Sequence, residues 1–201
     1  MIKVLLADDQ RLVRGALSAM LGLEGDITVV AEVGSGEEAV EAALRTRPDV
    51  ALLDVQMPGR DGLEAAAELR SVLPSCRVVI CTTFGRPGYL ARALAAGAAG
   101  FIVKDAPPEH LVDAVRRVHA GLRVVDPELA AESLASGVSP LTDREREVLR
   151  AASDGRTVAE VARGLRLSEG TVRNHLSSAM RKTGAGTRAE AVLLAENRGW
   201  L

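Results

Sequence analysis

Aromatic side chains are almost absent, with Phe84, Tyr89, Phe101 and Trp200 the whole set in 201 residues. A single-strand nucleic-acid binder, which stacks bases on aromatic platforms, is therefore not expected. The core must be built from Ala, Val, Leu and Ile. Cysteine is nearly missing too. Cys76 and Cys81, five residues apart beside an apolar run, read as small buried hydrophobes rather than a disulfide or metal pair. A reducing, cytoplasmic compartment is expected. Charged residues interrupt every apolar stretch before it reaches the ~18 residues that span a bilayer. Met1-Ile2-Lys3 runs into a strand-like segment without the pattern of a signal peptide, so no membrane partner is expected. There is no G-x-x-x-x-G-K-[ST], which excludes a P-loop nucleoside triphosphatase.

What is present is globular: 47% hydrophobic and 26% charged residues, too apolar for a disordered chain. The formal net charge of −2 conceals an asymmetry. Residues 1–121 carry 13 basic and 16 acidic side chains, 122–138 carry 1 and 3, and 139–201 carry 11 and 8. From Thr171 to Arg188 there is no acid at all, while Arg173, Arg181, Lys182 and Arg188 are basic. A basic end on an acidic chain points to a nucleic-acid partner for that end alone.

Residues 1–121 alternate two periodicities. Strand-length apolar runs fall at Ile2–Ala7, Ile27–Val33, Val50–Leu53, Val78–Cys81 and Gly100–Val103, with helix-period segments near 10–22, 36–46, 61–71, 86–96 and 107–120. Five strands alternating with five helices predict an α/β domain, a doubly wound five-stranded parallel sheet covered on both faces. Residues 122–139, closing on Ser136-Gly137-Val138-Ser139 before Pro140, read as a linker. Residues 140–201 predict a small all-α domain of four short helices. Three of their starts read as T-x-x-E capping boxes: Thr142…Glu145, Thr157…Glu160 and Thr187…Glu190. Ser168 caps the fourth, and Gly155, Gly164 and Gly184 sit where such helices stop.

In an open parallel sheet all strands end on one edge, where ligands bind. Asp8 and Asp9 follow the first strand, Asp54 the third, Thr82 and Thr83 the fourth, and Lys104 the fifth. One Asp at a strand end is usually a turn former, and a lone Lys is usually solvated. Joint placement at four strand ends selects a chemical reading. Three clustered carboxylates call for a hard cation, and Mg²⁺ prefers oxygen. A carboxylate nucleophile, a divalent metal, a lysine and a hydroxyl are what phosphoryl transfer to an aspartate requires.

Gly34-Ser35-Gly36-Glu37-Glu38-Ala39 also fits the dinucleotide-binding fingerprint, with an acid twenty residues on. A nucleotide-cofactor enzyme is the alternative this suggests. Glu37 and Glu38, however, stand in the helical turn where a pyrophosphate would dock. The same residues make sense as helix-start chemistry, Ser35 capping and Glu38 completing the box.

The matching pieces Leu6-Ala7-Asp8-Asp9-Gln10, Leu52-Leu53-Asp54-Val55-Gln56-Met57-Pro58-Gly59-Arg60-Asp61-Gly62, Thr82-Thr83 and Ala96–Lys104 resemble a flavodoxin-like response-regulator receiver domain. The resemblance implies that Asp54 accepts a phosphoryl group from a sensor histidine kinase. It implies that Asp9, Asp54 and the Gln56 backbone carbonyl bind Mg²⁺ with Asp8 assisting. Lys104 would contact the phosphate while Thr82 moves toward it and the Phe101 ring swings inward. Phe101 stands where many receivers carry Tyr, and Pro107-Pro108 departs from a single proline nearer Lys104.

Residues 157–164 and 169–182 form two helices joined by a tight turn, the second basic, as in a helix-turn-helix. On 169–182 the buried stripe is Val172, Leu176, Ala179 and Met180. Arg173, Asn174, Ser177, Ser178 and Arg181 lie off it. Arg can read a guanine and Asn an adenine, so Arg173 and Asn174 are expected at bases, with Thr171, Ser177, Arg181 and Lys182 completing the DNA contacts. Leu141–Leu149 and Leu167–Leu176 resemble the LuxR-type DNA-binding domain. With the receiver, nearly the whole chain is similar to the NarL/FixJ response regulators. Ser177 and Thr157-Val158-Ala159 depart from residues common there. The resemblance implies a transcription regulator, not an enzyme beyond its own phosphoryl transfer, that dimerises on phosphorylation and binds double-stranded promoter DNA. Helices 10–22 and 107–120, and Ala191, Val192 and Leu194 on 188–196, are the expected dimer surfaces. An atypical receiver that works without phosphorylation is the second alternative.

Overall fold

The computed structural model describes residues 1–83, 87–127, 129–131 and 139–201. Phe84, Arg86 and most of the Ser136–Pro140 punctuation expected in the linker lie outside the described residues. The main break between two compact units falls between Ala130 and Ala131.

In the N-terminal unit, β1 (Ile2–Ala7), β2 (Ile27–Val33), β3 (Val50–Leu53), β4 (Arg77–Thr82) and β5 (Gly100–Val103) alternate with α1 (Arg11–Gly22), α2 (Gly36–Thr46), α3 (Gly62–Val72), α4 (Pro87–Ala96) and α5 (Pro108–His119). The sheet is wholly parallel in the order β2-β1-β3-β4-β5-β6. It has six strands, not the five expected. β6 (Val124–Val125) pairs with Gly100 and Phe101 from inside the stretch expected to open the linker. Two residues are too few to show an alternation, so only pairing with an open edge reveals this strand. β1 and β3 are buried almost throughout because helices cover both faces, which explains their unbroken apolar runs. The strand order reverses around β1, so a crevice opens between the ends of β1 and β3.

The C-terminal unit packs α6 (Asp143–Ala151), α7 (Val158–Leu165) and α9 (Arg188–Asn197) around α8 (Glu169–Thr183). Its core joins Val148, Leu149, Val161, Val172, Leu176, Ala179 and Trp200. Thr142 and Thr157 form complete capping boxes with Glu145 and Glu160. Two expected boxes are only half formed. Thr187 and Ser35 accept from the third helical N–H, but Glu190 and Glu38 accept from Gly186 and Gly34, one residue before the cap. Backbone angle separates the two groups. Complete boxes have cap φ of −70 and −68, the half boxes −134 and −146. Greater extension turns the cap's own N–H away and leaves the preceding one in reach.

Gly164, expected to stop α7, lies inside it, and Arg166 takes the left-handed cap at φ 55 instead. The helix runs on because Leu165 and Leu167 pack against the core, with Leu167 N–H donating back to the Ala162 carbonyl at 2.8 Å. Among the described residues no helix is long and apolar enough to cross a membrane.

Candidate functional site

Strand register assembles the acidic site. Ala7 lies opposite Leu53, so the next residues, Asp8 and Asp54, emerge side by side. Thr82 lies opposite Val103, so Lys104 emerges beside the end of β4. Backbone bonds lock this edge: Asp54 N–H to the Ala7 carbonyl at 2.9 Å and Lys104 N–H to the Thr82 carbonyl at 2.8 Å.

Asp8 and Asp54 are buried at 3% and 4% exposure, and Thr82 at 1%. Each buried carboxylate gives one oxygen to the backbone and the other to lysine. Asp8 accepts from Gln10 N–H at 2.9 Å and Asp54 from Val55 N–H at 2.7 Å. Lys104 Nζ stands 2.6 Å from Asp8 Oδ2 and 3.0 Å from Asp54 Oδ2. Both contacts are ion pairs without hydrogen-bond alignment. Burial pushes the Asp54 carboxyl above its ordinary value, against the opposing pull of Lys104. Burial also pulls the Lys104 ammonium down, but the two carboxylates outweigh it and hold the lysine above its ordinary value.

Asp9 is exposed and completes a set whose carboxylate oxygens lie within 4.8 Å of one another. Three carboxylates against one ammonium leave a net negative, oxygen-only pocket, which fits a hard divalent cation such as Mg²⁺. Gln56 lies exposed two residues beyond Asp54. The Phe101 ring is buried at 2% exposure, so it already occupies the inward position.

One contributor had no chemical signal in the sequence. A Cβ on Gly62 would stand 1.8 Å from the Asp54 carbonyl oxygen, so only glycine lets α3 start against the end of β3. Gly59, at φ 71, makes the turn before it.

The dinucleotide alternative fails on geometry. Glu37 accepts the Arg60 N–H and Glu38 the Gly34 N–H, both at 2.9 Å. A Cβ on Gly36 would stand 2.4 Å from the Arg60 carbonyl, so backbone fills the space a pyrophosphate would need.

In the C-terminal unit, Val172, Leu176 and Ala179 are buried as expected, joined by Thr183, while Met180 is half-buried. Arg173, Asn174, Ser177 and Arg181 are exposed along one face of α8. Thr171 is half-buried and shares a 2.8 Å hydrogen bond with the Ser168 hydroxyl. Arg173 Nη2 meets Glu169 Oε2 at 2.6 Å. Lys182 is exposed as well, and its ammonium meets Glu145 Oε2 on α6 at 2.7 Å. On α9, Ala191 and Val192 are buried in the unit's own core, so they cannot form the expected dimer contact. Leu193, half exposed at 51%, is the apolar residue facing out.

Comparison with known proteins matches residues 4–116 to the response regulator receiver domain and residues 139–195 to the bacterial regulatory proteins of the luxR family. The transcriptional regulatory protein DesR of Bacillus subtilis is 44% identical over 200 residues, covering 100% of this chain and 99% of DesR. RcsB of Salmonella enterica serovar Typhimurium, bound to a promoter in the presence of phosphomimetic BeF3⁻, aligns at 25% identity with a TM-score of 0.71 over 98% of each chain. A structure of two RcsB dimers bound to two parallel DNAs aligns at 25% identity and a TM-score of 0.68, again over 98% of each.

Proposed function

Because this chain belongs to the transcriptional response regulators that join a receiver domain to a luxR-type DNA-binding domain, we propose that Asp54 is its phosphoacceptor and that phosphorylation controls promoter binding through α8. The observation that carries this reading is Lys104 bridging the buried Asp8 and Asp54 beside exposed Asp9. An Asp54 carboxylate oxygen attacks phosphorus, the P–N bond of a kinase phosphohistidine breaks, and the imidazole leaves. Lys104 is placed to meet the phosphoryl charge that Asp54 acquires. Asp9, Asp54, the Gln56 carbonyl and Asp8 would hold Mg²⁺, which supplies charge neutralisation for an incoming dianion. Thr82, buried at the end of β4, moves toward the phosphoryl group, with the Phe101 ring already turned inward.

The donor is a sensor histidine kinase in the cytoplasm, and the output is a homodimer on double-stranded promoter DNA. α1, whose Leu12 is 87% exposed, is one receiver face for pairing, and α5 is the other. We place the linker after β6. Arg173 and Asn174 read bases from the N-terminal half of α8, while Thr171, Ser177 and Arg181 hold the strand around them.

The test incubates the full chain with a small phosphodonor, with and without Mg²⁺, and reads a phosphate-affinity gel. Wild type should take up one phosphoryl group only with Mg²⁺, and Asp54→Asn should take up none. Undiminished labelling of Asp54→Asn would place the acceptor elsewhere.

A further inference from the structure

Glu145 is the one carboxylate among the described residues of the C-terminal unit that is buried, at 5% exposure, and base reading leaves it without a task. It stands in the first turn of α6, and three donors converge on it. Thr142 N–H reaches Oε2 at 2.7 Å, Ser178 Oγ reaches Oε1 at 2.7 Å and Lys182 Nζ reaches Oε2 at 2.7 Å. Ser178 and Lys182 lie one helical turn apart on α8, so a single carboxylate grips the helix at two points. These two positions flank the buried stripe on the side away from Arg173 and Ser177. The stripe itself is built of small or short side chains, Val172, Ala179 and Thr183 around Leu176. Apolar contact of that kind is non-directional and tolerates rotation of the helix about its axis. Hydrogen bonds to a fixed carboxylate do not.

We propose that Glu145 is a positioning residue for DNA reading: it fixes the rotation of α8, and with it the aim of Arg173 and Asn174, while withholding Lys182 from the phosphate backbone. This rests on the reading of α8 as the base-contacting helix. The carboxylate stays charged throughout the useful pH range: against the cost of burial, the Lys182, Thr142 and Ser178 contacts hold it down at about 2. The clamp is therefore permanent rather than a switch. It also converts a cation that would bind any sequence into one that serves discrimination.

The experiment uses the full-length chain and two duplexes, one selected from a random pool by the wild type and one unselected. Trp200, the only tryptophan and buried in the C-terminal core, reports by fluorescence that this domain remains folded. Glu145→Gln should lower the ratio of selected to unselected affinity by about tenfold, the scale of one misplaced base contact. It should also steepen the salt dependence on the unselected duplex by about 0.9 as Lys182 is freed for a phosphate. Adding Lys182→Met to that variant should restore the wild-type slope. If Glu145→Gln fails to fold, Ser178→Ala with Lys182→Met spares the α6 cap and should lower the ratio without steepening the slope. A folded Glu145→Gln with unchanged ratio and unchanged slope overturns the proposal, as does a fall in fluorescence midpoint alone. An Arg173→Ala protein with an unchanged ratio overturns the reading of α8, and the role of Glu145 with it.

Discussion

Replacing Lys104 with methionine removes the ammonium that faces two buried carboxylates while keeping a stem of similar length. The stem borders a cavity of about 80 Å³ lined by Leu17, Cys81, Ile102 and Leu111 among others, so methionine meets apolar neighbours there. The charge is what changes. With Nζ gone from 2.6 and 3.0 Å, Asp8 and Asp54 are left with no cation between them at about 4% side-chain exposure. Stranding one side of a buried ion pair costs about 3–5 kcal/mol. Proton uptake sets a ceiling. Neutralising one aspartate in the folded state at pH 7, against an unfolded value of ~3.9, costs about 4 kcal/mol, and at pH 5 about 1.5 kcal/mol. The sign follows from the raised carboxyl. A group whose folded pKa lies above its unfolded value favours folding below the unfolded value, and that contribution is lost as pH rises through the folded value. Lys104→Met should therefore lose about 3–4 kcal/mol at pH 7, roughly 10–15 °C in the receiver transition, and no more than about 1.5 kcal/mol at pH 5. Scanning calorimetry in chelator at both pH values measures this, with Trp200 fluorescence marking the other domain's transition. Excess Mg²⁺ should recover much of the loss at pH 7 by replacing the missing charge. An equal deficit at pH 5 and pH 7, or no recovery with Mg²⁺, would refute the electrostatic account of this site.

Gly62→Ala should destabilise the receiver by about 2 kcal/mol or more and slow phosphoryl uptake, because its Cβ would stand 1.8 Å from a backbone oxygen that cannot retreat; wild-type labelling and melting would show that α3 starts elsewhere. Glu145, held down at about 2 against the cost of burial by Lys182, Thr142 and Ser178, contributes stability that is complete at neutral pH and lost as pH falls through that value. An acid titration of Trp200 fluorescence in denaturant should thus fall more steeply for wild type than for Glu145→Gln. Arg173→Ala should cost about 1–3 kcal/mol on a selected site and relax preference at one base pair, read by competition binding against single-base variants.

The alternation of apolar runs and helical periods placed five strands and the neighbouring helices, because each pattern is written in a few adjacent residues. The caps at Thr142, Thr157 and Ser168 were legible for the same reason. So were the acids: in a parallel sheet, strand ends share an edge, and knowing where β1, β3 and β5 stop puts Asp8, Asp54 and Lys104 together. Beyond that, sequence spacing has no purchase. Whether Asp8 or Asp9 is the buried partner of Lys104 depends on the Ala7–Leu53 register and on which face of the loop the helices cover. β6 exists because an edge beside β5 was open to it. The half-formed boxes at Ser35 and Thr187 turn on one backbone angle, and α7 passes Gly164 because Leu165 and Leu167 gain more by packing. Lys182 looks like a DNA contact among its neighbours in sequence. It is a structural partner of Glu145 only because tertiary packing brings together two residues 37 positions apart, where the buried carboxylate could not stay charged without a cation at its edge.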